Sequence, residues 1–195
     1  MKTNSLSKLS IILLSISGIG LVISIFVPIW AIYLEAPQYP EGLGMFLHAN
    51  KITGDYEIIN GLNHYIGMKE IHQEDFWEFK ILPYALGFFA ALAFLTVFLN
   101  NKKWLYFFAA LFLIFGVAFM VDFYLWEYDY GHNLNPNAAI VVPGMSYQPP
   151  LLGFKQLLNF GAYSYPDIGG WIMFGVGIIL VVLSYLEIKS SKKVI

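Results

Sequence analysis

The sequence predicts an all-α membrane protein with four transmembrane helices, whose two external segments form one small extracytoplasmic cap. The 195-residue chain is 58% hydrophobic and only 12% charged, whereas globular domains carry about 25% charged residues. Its mean hydropathy is +0.63. Four long apolar runs are present, and a run of about 20 apolar residues crosses a bilayer as a helix. These observations place the chain in the lipid bilayer.

The first run, residues 9–34, contains no charged side chain and is long enough to span with a tilt. A cleaved signal peptide is the alternative interpretation of this run. Signal peptides usually have a shorter apolar core of about 7–15 residues, and no small-x-small cleavage signature is present. The sequence therefore favours an uncleaved first span. The other predicted spans are residues 81–99, 104–126 and 171–188, within one integral membrane domain, residues 1–195.

Lysine placement predicts the orientation of these spans. One side of the predicted topology carries seven lysines: Lys2, Lys8, Lys102, Lys103, Lys189, Lys192 and Lys193. The positive-inside rule then puts both termini in the cytoplasm of a bacterial inner membrane and both long segments, residues 35–80 and 127–170, in the periplasm. The tryptophans lie at or near the predicted span ends, as in an interfacial aromatic belt: Trp30, Trp77, Trp104, Trp126 and Trp171.

The two halves of the chain have the same predicted layout of span, external segment and span. The halves also share a short sequence similarity, because YIGMKE at residues 65–70 resembles LLGFKQ at residues 151–156. A tandem repeat of membrane hairpins would relate the halves by an axis along the membrane normal, and it would place the external segments side by side. Within the first of them, ITGDYEII predicts a hairpin that turns at Gly54 and Asp55.

The candidate site lies between residues 60 and 80, a stretch that the sequence predicts to be helical. His64, Met68 and His72 would then share one helix face. His64 and His72 would be roughly 12 Å apart, too far to bind one ion together, so Met68 would pair with either neighbour and further ligands would come from elsewhere. The remaining external candidates are His48, His132, Met145 and Met45. Thioether and imidazole together favour Cu(I). The alternative is that the methionines pack and the histidines cap or face water.

Several function classes find no support in the sequence. The chain has no Cys, which excludes disulfides, thiolate metal sites and cysteine nucleophiles. All eleven basic residues are Lys and the net charge is −2, so nothing favours nucleic-acid binding. No nucleophile elbow, HExxH motif or P-loop occurs, and we expect no enzyme. Asp122, inside the third predicted span, is either functional or close to water at the interface. No histidine lies in the spans, which argues against a bis-histidine haem.

The chain also resembles a known family through motifs in its external segments. These are APQYPEGL, GMF, HANKITGD, INGLNHYIGMKEI, WEYDYGHNLNP and PGMSYQPPLLGFKQLLNFGAYSYPDIGGW. They are similar to the NosB-type family, small four-span membrane proteins encoded with the nitrous oxide reductase gene cluster of one bacterial lineage. The resemblance covers almost the whole chain. It implies a role in denitrification, near the assembly, copper supply or electron supply of a periplasmic copper enzyme.

Three functions are therefore considered. The leading hypothesis is a membrane accessory factor for that copper enzyme, which binds copper transiently at the external His and Met residues. The second is a metal-free membrane anchor or scaffold that docks a periplasmic partner or electron donor. The third, a quinol- or haem-linked electron-transfer subunit, is weaker because the spans lack histidines. The expected partners are the lipid bilayer and a periplasmic or membrane protein.

Overall fold

A computed structural model describes residues 4–192 of the chain. The helices are α1 (Lys8–Ser24), α2 (Tyr56–Ile66), α3 (Glu78–Leu99), α4 (Lys102–His132) and α5 (Ile168–Lys192). The strands are β1 (Trp30–Ala36), β2 (Tyr39–Leu47), β3 (Ile52–Gly54), β4 (Gly153–Leu157) and β5 (Phe160–Pro166). A 3-10 turn covers Gln73–Asp75.

Four of the helices form an apolar bundle. Helix α1 packs against α3 and α5, and α4 contacts both of them as well. The bundle core consists of large apolar side chains, including Leu14, Leu86, Phe108, Leu180 and Leu183, each fully buried. Helices α3, α4 and α5 are long and apolar enough to cross a membrane, so the chain is a membrane protein. Helix α1 is apolar but has only 17 residues, a length of about 25 Å.

Helix α1 presents a seam of small and large residues to its neighbours. Ser10, Leu14, Ser17, Leu21 and Ser24 follow a spacing of four and three residues, and all five are buried. The Ser17 hydroxyl donates to a carbonyl one turn earlier in its own helix, and Ser24 donates to the carbonyl of Gly169 at the start of α5. Small residues allow close approach of membrane helices, so this seam lets the short α1 fit tightly into the bundle.

The prediction of an all-α fold is wrong, because the two long segments build a five-stranded antiparallel sheet with the order β3-β2-β1-β5-β4. Central strand β1 begins in the predicted first span and ends in the first segment, and it pairs with β5 from the second segment, with Ile32 opposite Ser164. The two predicted external segments therefore form one folded unit, which we call the cap: the sheet, α2 and residues 133–152. Pairing between strands so distant in sequence leaves no local pattern to recognise.

The first predicted span, residues 9–34, is also wrong in its extent. Helix α1 ends at Ser24, a turn follows, and β1 begins at Trp30. Pro28 lacks the backbone N–H that a continuing helix would use. The uncharged run is thus an apolar helix joined to a buried strand, since Trp30, Ala31 and Ile32 are all nearly inaccessible. Hydrophobicity alone does not distinguish those two conformations.

The predicted hairpin and tandem repeat are not present either. Strand β3 pairs with β2 rather than with the residues after Gly54, and α2 follows immediately. The two similar segments differ in structure, because residues 65–70 include the end of helix α2, while residues 151–156 include the start of strand β4. The order of helix and central strand along the chain also differs between the halves, because β1 follows α1, whereas β5 precedes α5. The halves are therefore not related by a tandem repeat.

The end of the bundle away from the cap contains a buried ion pair. Lys102 Nζ lies 3.1 Å from Glu187 Oε2, and the two side chains are only 6% and 4% exposed. The other carboxylate oxygen of Glu187 accepts from Ser10 Oγ at 2.6 Å and from the backbone N–H of Ser7 at 2.8 Å. The pair thereby joins the N-terminal segment, the start of α4 and the end of α5. Lys2 and Lys193 of the predicted lysine-rich side lie outside the described residues.

Ser164→Ala tests the attachment of β5 to β1. Trp30 Nε1 donates to Ser164 Oγ over 2.7 Å inside the sheet, and both residues are buried. Without the hydroxyl the indole N–H is left unpaired, so we expect the free energy of unfolding to fall by about 1–2 kcal/mol. Equilibrium unfolding in mixed micelles measures it. The double variant Trp30→Phe with Ser164→Ala removes the unpaired donor. If its loss in free energy of unfolding equals the sum of the two single losses, the Trp30–Ser164 hydrogen bond is not the source of the effect.

Candidate functional site

The structure does not place His64, Met68 and His72 on one helix face. Helix α2 ends at Ile66, and Gly67 adopts a left-handed conformation with φ of 81°. Glycine favours this conformation because it has no Cβ. A side chain there would also meet the backbone of Asn135. The prediction of a continuous helix over residues 60–80 is therefore wrong, since the glycine stops the helix between the first and second candidate ligands.

The three residues have different environments. His64 is exposed in the last turn of α2. His72 is exposed and lies 3.2 Å from the Glu70 carboxylate. Met68 is buried in the apolar core of the cap, where it lines a small cavity of about 60 Å³ together with Met45. The two thioethers thus pack inside the cap, and the two histidines face away from them.

The other candidate ligands are also dispersed. His132 stacks on Tyr128 with a centroid distance of 4.0 Å, and its Nδ1 lies 2.9 Å from the Tyr128 carbonyl. Met145 is exposed, and His48 Nε2 lies 3.0 Å from Thr53 Oγ1. Within residues 4–192, no three His, Asp or Glu side chains are arranged to hold a metal ion.

A larger cavity opens between the cap and the bundle, and we call it the interfacial cleft. It has a volume of about 350 Å³ and lies between the base of the sheet, the start of α3 and the second half of α4. Its walls are mostly aromatic and aliphatic: Ile29, Trp30, Met45, Leu47, Ile52, Ile71, Phe76, Trp77, Phe79, Leu82, Phe119, Phe123, Leu125 and Trp126. Cavities of this size and character are typical of small-molecule sites.

Four polar side chains complete the lining of the interfacial cleft: His48, Asp75, Glu78 and Asp122. The Glu78 and Asp122 carboxyl groups lie on the same lining and are close enough to interact electrostatically. Burial and the nearby Lys51 lower the pKa of His48, so its imidazole is neutral at pH 7. The lining contains no lysine, so the cleft offers hydrogen-bond acceptors and no fixed positive charge.

The length of α4 gives the distance of the interfacial cleft from the other end of the bundle. Measured from Lys102 at about 1.5 Å per residue, Asp122 lies roughly 30 Å along the axis, which matches the thickness of the bilayer core. His132 lies about 15 Å further on. The last turns of α4 therefore extend beyond the length that crosses a bilayer core, and the cleft residues on α4 lie near that limit.

Asn60 fixes one wall of the cleft. Its side-chain amide accepts from the backbone N–H of Ile71 at 2.7 Å and donates to the carbonyl of the same residue at 3.0 Å. Asn60 is buried, and it satisfies both backbone groups of an irregular segment. This role was not found from the sequence, because a single Asn in a helix carries no signal for a contact eleven residues away.

The outer end of the cap carries exposed apolar residues. Residues 133–146 follow the end of α4 and are held by backbone hydrogen bonds, including Ile140 N to the Tyr65 carbonyl at 2.8 Å. Ile140, Val141, Val142 and Met145 nevertheless expose between 37% and 57% of their surface. We call these four residues the tip patch. Fixed and exposed apolar patches are typical of interaction surfaces.

Glu127 is a buried carboxyl outside both of these features. It is fully inaccessible, and neither of its oxygens has a hydrogen-bond partner within residues 4–192. It lies one turn before Gly131, which Tyr147 and Gln148 contact. A charged carboxylate without a partner is strongly disfavoured at such a position, so the neutral acid fits this environment.

No protein-family model matches this chain, and neither the curated proteins nor the solved structures contain a significant match. The features that bear on function are therefore the cap, the interfacial cleft and the tip patch.

Proposed function

We propose that this protein is a metal-free membrane anchor, not an enzyme, whose cap docks a protein partner. The observation that carries the proposal is the tip patch. Three consecutive β-branched residues, Ile140, Val141 and Val142, are exposed on a segment that backbone hydrogen bonds hold in place. The segment that carries the patch follows the end of α4, which lies about 15 Å beyond Asp122 along the helix axis. A protein rather than lipid is therefore its natural occupant.

The proposed topology has four spans and both termini in the cytoplasm of a bacterial inner membrane. The packing of helix α1 supports this topology. Helix α1 packs against α3 and α5 along its buried seam, and it thereby completes the bundle in spite of its short length. Lys8, Lys102, Lys103 and Lys189 lie at the bundle end away from the cap. The positive-inside rule favours a cytoplasmic location for that end and hence a periplasmic cap.

The placement of the candidate ligands supports the metal-free function over transient copper binding. Met68 is inside the cap core, while His64 and His72 are on its surface. A Cu(I) site needs its soft ligands to converge on one point. The resemblance to the NosB-type family supplies the proposed partner, which is nitrous oxide reductase or its electron donor.

Binding between this protein in lipid nanodiscs and purified nitrous oxide reductase tests the proposal. We expect measurable association by biolayer interferometry. We expect Val141→Asp, which places a charge on the patch, to weaken it at least tenfold. Glu74→Gln is the control, because Glu74 is exposed on the 3-10 turn and outside the tip patch. Equal binding by all three proteins, or no binding by any, would contradict docking through this patch.

Copper binding gives a second, independent measurement. We expect the purified protein not to compete with a chromophoric chelator for stoichiometric Cu(I). Stoichiometric copper in the parent, lost in a folded His64→Ala, Met68→Ala, His72→Ala variant, would overturn the metal-free proposal and favour copper handling.

A further inference from the structure

We propose that the interfacial cleft binds the ring of a membrane-soluble hydroquinone, with its hydroxyl groups donating hydrogen bonds to acceptors from His48, Glu78 and Asp122. The site is separate from the tip patch, and the inference does not depend on the proposed docking function.

The walls of the interfacial cleft suit a flat aromatic ring. Trp30, Phe123 and Trp126 are already arranged in edge and stacked contacts, with Trp30 and Phe123 centroids 5.3 Å apart and Phe123 and Trp126 centroids 6.2 Å apart. Offset and edge-to-face packing between aromatic rings is favourable beyond the burial of area. The volume of about 350 Å³ accommodates one ring system and the first part of an attached chain.

The polar groups disfavour an anionic head group and favour one that donates hydrogen bonds. Asp75, Glu78 and Asp122 are acceptors when ionised, and hydrogen bonds to ionised acceptors are roughly twice as strong as those between neutral groups. His48 is neutral and adds a further ring nitrogen. The cleft lining has no lysine, so a phospholipid phosphate would meet carboxylates without a compensating cation. A hydroquinone hydroxyl is an uncharged donor and meets no such repulsion.

The position of the interfacial cleft explains how such a ligand would reach it. Asp122 lies about 30 Å from the start of α4, at the border of the hydrocarbon core. Leu82, Phe119 and Leu125 form an apolar wall on the helix side of the same cavity. An isoprenoid tail would lie along these helix residues in the bilayer, while the ring would sit beneath the sheet. The amphipathic lining thus matches an amphipathic ligand that arrives from the membrane.

Calorimetric titration of the nanodisc-embedded full chain with 2-methyl-1,4-naphthohydroquinone, kept reduced, tests the inference. We expect binding of the hydroquinone to be at least tenfold tighter than that of the corresponding quinone, because the quinone has no hydroxyl donors. We expect Asp122→Ala to weaken hydroquinone binding about tenfold. Glu74→Ala is the matched control, since Glu74 is an exposed carboxylate beside Asp75 that does not line the cleft, and its affinity should equal that of the parent.

The outcomes that overturn the inference are distinct. Equal affinity for hydroquinone and quinone would show that the acceptors do not contribute to binding. Equal weakening by Asp122→Ala and Glu74→Ala would show that the probe does not bind in the cleft. Tighter binding of phenyltrimethylammonium than of hydroquinone would show that the cleft is a cation site. Absence of binding by every probe would also contradict the inference. If Asp122→Ala does not fold by circular dichroism, Asp122→Asn replaces it, with a smaller but measurable loss expected because a neutral amide acceptor is weaker.

Discussion

Glu187→Ala is expected to lower the free energy of unfolding by about 3–5 kcal/mol, the range found when one partner of a buried ion pair is removed. The substitution leaves the Lys102 ammonium without its carboxylate in a site where only 6% of that side chain is exposed. It also removes the acceptor of the Ser10 hydroxyl and of the Ser7 backbone N–H. The measurement is equilibrium unfolding in mixed micelles, followed by circular dichroism.

The control for this prediction is a double variant, Lys102→Met with Glu187→Leu. Replacing a whole buried ion pair by apolar residues is often neutral or stabilising, so the double variant should recover much of the loss. A double variant as unstable as the sum of the two single variants would show that the ion pair is not the source of the effect.

Gly131→Ala is expected to detach residues 147–155 from α4. A Cβ at this position would collide with the backbone of Gln148, which cannot move aside as a flexible side chain does. Overpacking costs about 1–3 kcal/mol, and losing the hydrogen bond from Tyr147 N to the Gly131 carbonyl adds about 1 kcal/mol. We expect a lower melting temperature and faster proteolytic cleavage between residues 133 and 152.

Gly87→Ala is the matched control for this variant. Gly87 is also a helical glycine, but a Cβ there would meet nothing within 4 Å. Alanine favours helix over glycine by roughly 0.5–1 kcal/mol, so this variant should be slightly more stable than the parent. If both substitutions had the same sign, helix propensity rather than close contact would govern the effect at Gly131.

The long apolar helices were the predictable part of the fold. The predicted spans 81–99, 104–126 and 171–188 all lie within observed helices, because a membrane helix satisfies its own backbone and needs only a continuous apolar run. The sheet was missed for the opposite reason. Its strands are short, and β1 pairs with a partner more than a hundred residues away. Strand pairing at that distance depends on the packed bundle, which the local sequence does not encode.

The interfacial cleft was less predictable than the fold. Asp122 was recognised as a candidate because a carboxylate within a span is unusual, and His48 was recognised as an external imidazole. Nothing in the sequence linked them to each other or to Glu78, since His48 follows β2, Asp122 lies in α4 and Glu78 begins α3. The predicted ligand row at His64, Met68 and His72 depended on helical spacing, and Gly67 was the signal that should have limited it.

The pairing of β1 with β5 has a consequence for biosynthesis. Ile32 leaves the ribosome 132 residues before its partner Ser164, and chains grow at about 5–20 residues per second, so the central strand waits roughly 7–26 seconds for its neighbour. During that interval β1 can pair with β2, but its other edge is open to association with other chains. The cap is complete only after the last strand has emerged. Nascent chains truncated before β5 should therefore be aggregation-prone or depend on a chaperone, even when helices α1, α3 and α4 have already been synthesised.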